Sequence, residues 1–152
     1  MIGMRVSGAL LAVGLAAGAV GWTTTAQRPA DRVPVAAVQR EEPPQETVTV
    51  LVEQPLANVP GKTFTSAIVD FPPGSRAVPH RHGQAFVYAY VLSGAVRSQL
   101  EGQPVQTYSA GQNWVEPPGA HHVLTENTSA TEPAKLLVVF ISDTGDPIRV
   151  PD

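Results

Sequence analysis

Residues 74–94 read GSRAVPHRHGQAFVYAYVLSG, and this stretch decides the fold and points to the chemistry. Its second half, AFVYAYVL (85–92), is aromatic, rich in valine and closed by Ser93-Gly94, the pattern of a β-strand. On that strand Val87, Ala89 and Val91 share one face and Phe86, Tyr88 and Tyr90 the other, and either face is a candidate interior. The first half holds His80 and His82. Side chains two residues apart on a strand point the same way, so an extended 80–82 sets two imidazoles side by side with Arg81 turned away. All four histidines of the chain fall in two clusters, 80–82 and 121–122. Two imidazoles on one face, joined by a third from a distant strand, make a candidate transition-metal site.

Working outward, the same strand signature recurs. TVTVLV (47–52), KTFTSAIVDF (62–71), AVRSQL (95–100), PVQTY (104–108) and NWVEP (113–117) are short β-like runs divided by Pro and Gly. KLLVVFIS (135–142) is nearly continuous in apolar residues and reads as a strand buried on both faces. Evenly spaced short strands with frequent turns predict an all-β sandwich, jelly roll or barrel. The 13 glycines and 15 prolines fit that turn-rich class.

The chain has 152 residues, enough for one domain once its N-terminus is set aside. Its 10 basic and 13 acidic residues are mixed, which leaves no electrostatic footprint for nucleic acid. With no cysteine, disulfides, iron–sulfur clusters, thiolate zinc sites and thiol nucleophiles are excluded. There is no Gly-rich phosphate loop, no Gly-x-Ser-x-Gly and no His-Glu-x-x-His.

Residues 1–26 read as a signal peptide. Arg5 is followed by an apolar run from Val6 to Val20, and Thr24-Thr25-Ala26 offers a cleavage site. Left uncleaved, Val6 to Trp22 is near the lower limit of a membrane span and becomes an N-terminal anchor, the chain's one membrane contact. Either way the domain is periplasmic or secreted. Residues 27–46 (QRPADRVPVAAVQREEPPQE) read as a flexible Pro-rich linker ahead of a domain at 47–152.

Two motifs in that domain resemble those of the cupin superfamily, in particular small single-domain bacterial cupins of the cupin_2 type. The first cupin motif runs Gly, five residues, His-x-His, three or four residues, Glu, six residues, Gly; here Gly74, His80, His82 and Gly94 match, and Val87 stands in the place of the Glu. The second runs Gly, five residues, Pro-x-Gly, two residues, His, three residues, Asn; here Gly111, Pro117, Gly119 and His122 match, and the Asn comes one place late at Asn127. The resemblance implies a double-stranded β-helix, a jelly-roll barrel of two antiparallel sheets. It implies a pocket where His80, His82 and His122 hold one divalent transition metal (Fe, Zn, Ni, Cu or Mn). It also implies a homodimer. Valine does not coordinate, so Val87 leaves a three-histidine centre.

Three neutral imidazoles suit Zn, Fe, Ni or Cu. Three protein ligands with open positions are the layout of a catalytic metal site rather than a structural one. The expectation is an exported metal-dependent enzyme of the oxygenase type, acting on a small organic molecule. A non-catalytic periplasmic module that binds a small ligand or metal is the alternative, and a structural partner of a membrane complex is a third reading. Candidate substrate or supporting residues are Gln84, two places past His82; Tyr88 and Tyr90; Arg97 and Gln99, which share a strand face; and His121 at the rim. Glu116 and Glu126 flank the second motif and are candidates to orient a histidine by accepting its other ring N–H, although the simplest reading of both is an exposed carboxylate.

Overall fold

The computed structural model describes residues 43–152. The signal peptide expected over 1–26 and the linker as far as residue 42 lie outside the described residues.

The described chain is all β. Its strands are β1 (Thr47–Pro55), β2 (Lys62–Phe71), β3 (His80–Arg81), β4 (Phe86–Ser93), β5 (Ala95–Leu100), β6 (Gln106–Ser109), β7 (Asn113–Glu116), β8 (His121–Glu126), β9 (Ala134–Asp143) and β10 (Val150–Pro151). They form two five-stranded sheets, β1-β2-β9-β4-β7 and β10-β3-β8-β5-β6. Every pairing is antiparallel. This is the jelly-roll barrel of the cupin fold, as the two motifs lead one to expect.

The interior side of each strand follows from which alternate set packs between the sheets. In β4 it is Val87, Ala89 and Val91, each at most 1% exposed, while Tyr88 and Tyr90 face outward. On the same inner face of that sheet stand Leu136, Val138 and Phe140 of β9, and Val69 and Phe71 of β2. The expectation that 135–142 is buried on both faces is corrected here. Lys135 and Ile141 are exposed and Leu137 and Val139 half-buried. Among the described residues no helix covers the outer face of that sheet, so β9 buries one side only.

The turn between β4 and β5 carries the chain from one sheet to the other. Gly94 sits there with φ +70°, and a Cβ at that position would lie 2.7 Å from the Pro133 carbonyl oxygen and 2.9 Å from Ala134. Both the left-handed backbone and the close approach require glycine. Asn127 is a second fixed point. Its amide donates to the carbonyls of Phe71, Pro72 and Glu132, and its side-chain oxygen accepts from the Ser129 N–H. It thereby ties the end of β2 to the loop before β9, a job that does not depend on the Asn standing one place earlier.

β1 is an edge strand with all nine residues exposed. The chain just before it also touches the barrel. The Pro44 carbonyl accepts from the Arg76 N–H at 3.1 Å. Glu46, the last residue of the expected linker, is ion-paired with Arg149.

Candidate metal centre

The three motif histidines converge, and each arrives from the same sheet. β3 and β8 pair so that His80 lies directly opposite His122, and His82 follows one residue after β3. One coordinating atom from each lies within 4.8 Å of the others. The His80 ring centroid is 4.8 Å from that of His82 and 5.3 Å from that of His122. A first-row ion with bonds of about 2 Å to nitrogen needs only a modest contraction of such a set.

Backbone carbonyls fix two of the tautomers. His80 Nδ1–H donates to the Val78 carbonyl at 2.8 Å. His82 Nδ1–H donates to the Ile148 carbonyl. A carbonyl only accepts, so both rings carry their proton on Nδ1 and keep the Nε2 lone pair for the pocket. Burial pushes the His80 imidazole down from 6.5 to about 4. Burial also lowers His82, against the opposing pull of Glu116. Both rings are therefore in the neutral form that a metal requires at neutral pH.

His122 is held from both ends. Its Nε2 meets the hydroxyls of Ser98 at 2.8 Å and Thr125 at 2.6 Å. Its Nδ1 lies 3.1 Å from Glu116 Oε1; the ring coordinates through Nδ1 in the tautomer whose Nε2–H donates to a hydroxyl, which leaves the Nδ1 lone pair beside the carboxylate. Ser98, His122 and Glu116 thus form a chain of contacts, but two hydroxyls share one ring nitrogen, which clamps the ring rather than activating a nucleophile.

Glu116 is the residue that the sequence placed wrongly. It is 2% exposed, not a solvated carboxylate. Its Oε1 accepts from the Trp114 indole N–H at 3.1 Å, and its Oε2 lies 3.6 Å from His82 Nε2. Burial raises this carboxyl, and the hydrogen bonds from His122 and Trp114 more than offset that, leaving it below its ordinary range. The signal was present in NWVE: Trp114 is bound for the interior, and on a strand Glu116 must follow it.

The histidines open on an apolar chamber of about 70 Å³, room for a few waters or a small ligand. Val69, Phe71, Ala89, Leu136, Val138 and Phe140 line it. At its mouth are Glu46, Val48, Ile148 and Arg149. Arg149 donates to Glu46 Oε1 and, at 3.0 Å, to the Val78 carbonyl. No sequence signal marked Arg149, which lies beyond both motifs.

The other candidates are not brought to the chamber. Arg97 faces outward and pairs with Glu126. Gln99 shares its face and donates to the Gln103 carbonyl at 2.9 Å. Gln84 is exposed, and Tyr88 and Tyr90 lie half-buried on the outer face of β4. His121 turns away from His122, as neighbours on a strand must, and meets Asp152 at 2.7 Å. None of these residues lines the chamber: Gln84 lies in the turn after β3 and the others on strand faces turned away from it.

The residues fit a divalent transition metal on two grounds. Two Nε2 lone pairs of fixed tautomer face a common space. Glu116 Oε2, also buried there, has no hydrogen-bond partner, and a buried carboxylate oxygen is costly without a cation.

Residues 67–140 match the protein family described as Cupin_2: Cupin domain. No curated protein sequence matches the chain. Among solved structures it is similar to an uncharacterised conserved protein with a double-stranded β-helix domain from Klebsiella pneumoniae (18% identity, 71% of this chain and 85% of that one, TM-score 0.55). It is also similar to the DMSP lyase DddQ from Ruegeria pomeroyi (21% identity, 70% of this chain and 51% of that one, TM-score 0.57). A third is a recombinant oxalate oxidase in complex with glycolate (26% identity, 70% of this chain and 54% of that one, TM-score 0.54). The chain spans about half the length of these last two.

Proposed function

We propose that the protein, whose residues 67–140 match the cupin domain family, is a metal-dependent enzyme of the oxygenase type, acting on a small organic acid at a centre built by His80, His82 and His122. The observation that carries the reading is the convergence of three coordinating atoms within 4.8 Å at the wall of an apolar chamber. When bound, the ion supplies a Lewis-acidic centre and, with iron or copper, a redox-active one.

The chain's own residues do the rest. The Val78 and Ile148 carbonyls hold the His80 and His82 rings in the coordinating tautomer. Ser98 and Thr125 fix the His122 ring. Phe71, Leu136, Val138 and Phe140 exclude water, which strengthens every electrostatic contact inside. Arg149 stands at the mouth with its guanidinium on a carboxylate of this chain, Glu46. A substrate carboxylate taking Glu46's place would meet the same fork. The glycolate bound to the structurally similar oxalate oxidase is a small carboxylate, which supports that class.

The test is oxygen uptake by protein purified without a polyhistidine tag and loaded separately with iron, copper, nickel, manganese and zinc. Small hydroxy, keto and dicarboxylic acids are supplied, with phenols and sulfur compounds as controls. Turnover of a carboxylate with one of these metals is the expected result. Stoichiometric metal with no turnover of anything would favour a non-catalytic binding module, the reading that Val87 in place of the motif glutamate supports.

Export is part of the proposal. The apolar run from Val6 to Val20, followed by Thr24-Thr25-Ala26, supports a periplasmic or secreted location. Fractionation of cells expressing the full chain, with the mature N-terminus sequenced, tests it. A homodimer is proposed as well, supported by the exposed Val50, Leu51 and Val52 along the edge strand β1. Sedimentation measures it directly.

A further inference from the structure

The first cupin motif lacks its glutamate at Val87, and the structure contains a buried carboxylate beside that position. β4 and β7 pair so that Val87 lies directly opposite Glu116. Both point into the barrel, at 1% and 2% exposure. Directly opposed residues of an antiparallel pair have Cβ atoms about 5 Å apart. A carboxylate on β7 therefore reaches the same space as one on β4. We propose that Glu116 is the fourth ligand of the metal centre, the carboxylate having moved across the strand pair from β4 to β7. The proposal rests on the metal-binding reading above and deepens it.

The geometry of Glu116 supports a ligand rather than a support for the rings. Only Oε1 is engaged, accepting from Trp114 and facing His122 Nδ1. Oε2 is buried without a hydrogen-bond donor and faces His82 Nε2 at 3.6 Å. The Ile148 carbonyl holds the His82 proton on Nδ1, so Nε2 presents a lone pair. Two acceptors facing each other in an apolar enclosure repel, and a cation bound to both removes the repulsion. The carboxylate also matters for charge. Three neutral imidazoles leave a divalent ion with its full charge in a chamber walled by Leu136, Val138 and Phe140. One carboxylate halves that charge, and soft or borderline ions accept such mixed nitrogen and oxygen sets.

The test measures cobalt(II) and zinc(II) affinity and the cobalt ligand-field spectrum of four proteins: wild type, Glu116→Gln, Glu116→Val and the swap Val87→Glu/Glu116→Val. Thermal denaturation confirms that each is folded. Wild type binding one equivalent establishes the three-histidine reading on its own, and failure to bind sinks that reading and this proposal together. Given wild-type binding, Glu116→Gln and Glu116→Val are expected to lose at least 100-fold in affinity with an altered spectrum. Glu116→Gln keeps an acceptor for the Trp114 indole N–H, so a purely supporting role would survive it. The swap is expected to recover affinity to within about tenfold of wild type, with a spectrum of the wild-type form. Wild-type affinity and spectrum in Glu116→Gln, or a folded swap that binds no better than Glu116→Val, would overturn the assignment.

Discussion

The two sheets of the barrel face one cavity and bring different chemistry to it. The sheet containing β3, β8 and β5 presents nitrogen: His80, His82 and His122, with the hydroxyls of Ser98 and Thr125 behind them. The sheet containing β2, β9, β4 and β7 presents carbon: Val69, Phe71, Ala89, Leu136, Val138 and Phe140. It contributes a single charge, Glu116. The two walls are joined where the Phe140 ring lies 5.1 Å from that of His82. The contrast teaches a division of labour. One side fixes the His80 and His82 donor atoms by hydrogen bonds to their far nitrogens, and the other supplies burial and keeps water out. Changes on the first wall should be read in metal content, and changes on the second in stability.

The largest effect is expected on the nitrogen wall. Either His82→Ala or His122→Ala should abolish stoichiometric metal uptake, measured by elemental analysis of protein loaded and then desalted. With two imidazoles left, the set no longer encloses an ion. Full metal retention in both variants would break the comparison at its base.

The division of labour also explains what could be read from the chain. The all-β class, the sheet strands from 47 to 142 and the convergence of His80, His82 and His122 follow from period-two patterning and two spaced motifs. Such patterns fix which side chains share a face. They do not fix which face is interior, because both sides of β4 and β9 are apolar enough to serve. Tyr88, Tyr90, Arg97 and Gln99 were placed as candidates on that undecided choice, and the structure puts them outside. Glu116 needed one more step. A charged residue is ordinarily exposed; alternation with Trp114 puts Glu116 on the inner face, and its pairing with Val87 across β4 and β7 gives it a reason to stay there. That pairing depends on register between two strands, with Val87 and Glu116 well separated in sequence, and no local pattern carries it. Arg149 depends on the C-terminal tail returning to the mouth, equally invisible to a motif.

The next effect tests the carbon wall. Phe71 is 2% exposed. Phe71→Ala should destabilise the fold by about 3–5 kcal/mol, lost burial plus the cavity left behind. Chemical denaturation checks this, and the folded fraction should still bind one equivalent of metal. Loss of metal from well-folded Phe71→Ala would show that the carbon wall positions the ligands after all.

Acid probes the nitrogen wall without a mutation. His80 takes its proton near 6.5 in the unfolded chain but only at about 4 in the folded one. Between those values the unfolded state binds more protons, so metal-free protein loses stability as pH falls from 6.5 towards 4, and retains it in full above 6.5. From pH 7 to pH 5 the loss from His80 alone is about 2 kcal/mol. His82 is lowered as well and adds in the same direction. Melting curves in chelator across that range measure it. A flat profile would mean that the histidines accept protons inside the fold and are not screened from water by the opposite wall.

The smallest effect separates two arginines, and so the outer face of a sheet from the mouth between the sheets. Arg97 lies on the outside of β5 with its side chain 45% exposed and paired with Glu126. An ion pair so exposed contributes at most about 1 kcal/mol, because water and salt screen it and two long side chains must be held still. Arg97→Ala should therefore shift stability by no more than that and leave turnover unchanged. Arg149 donates to Glu46 and to the Val78 carbonyl at the chamber mouth. Arg149→Gln should raise the KM for a carboxylate substrate while leaving metal content intact, since its guanidinium meets no histidine nitrogen among its hydrogen bonds. If Arg97→Ala raised KM as much as Arg149→Gln, the ligand would have to reach the outer face of β5. The boundary drawn here between a chemical interior and an inert exterior would then be in the wrong place.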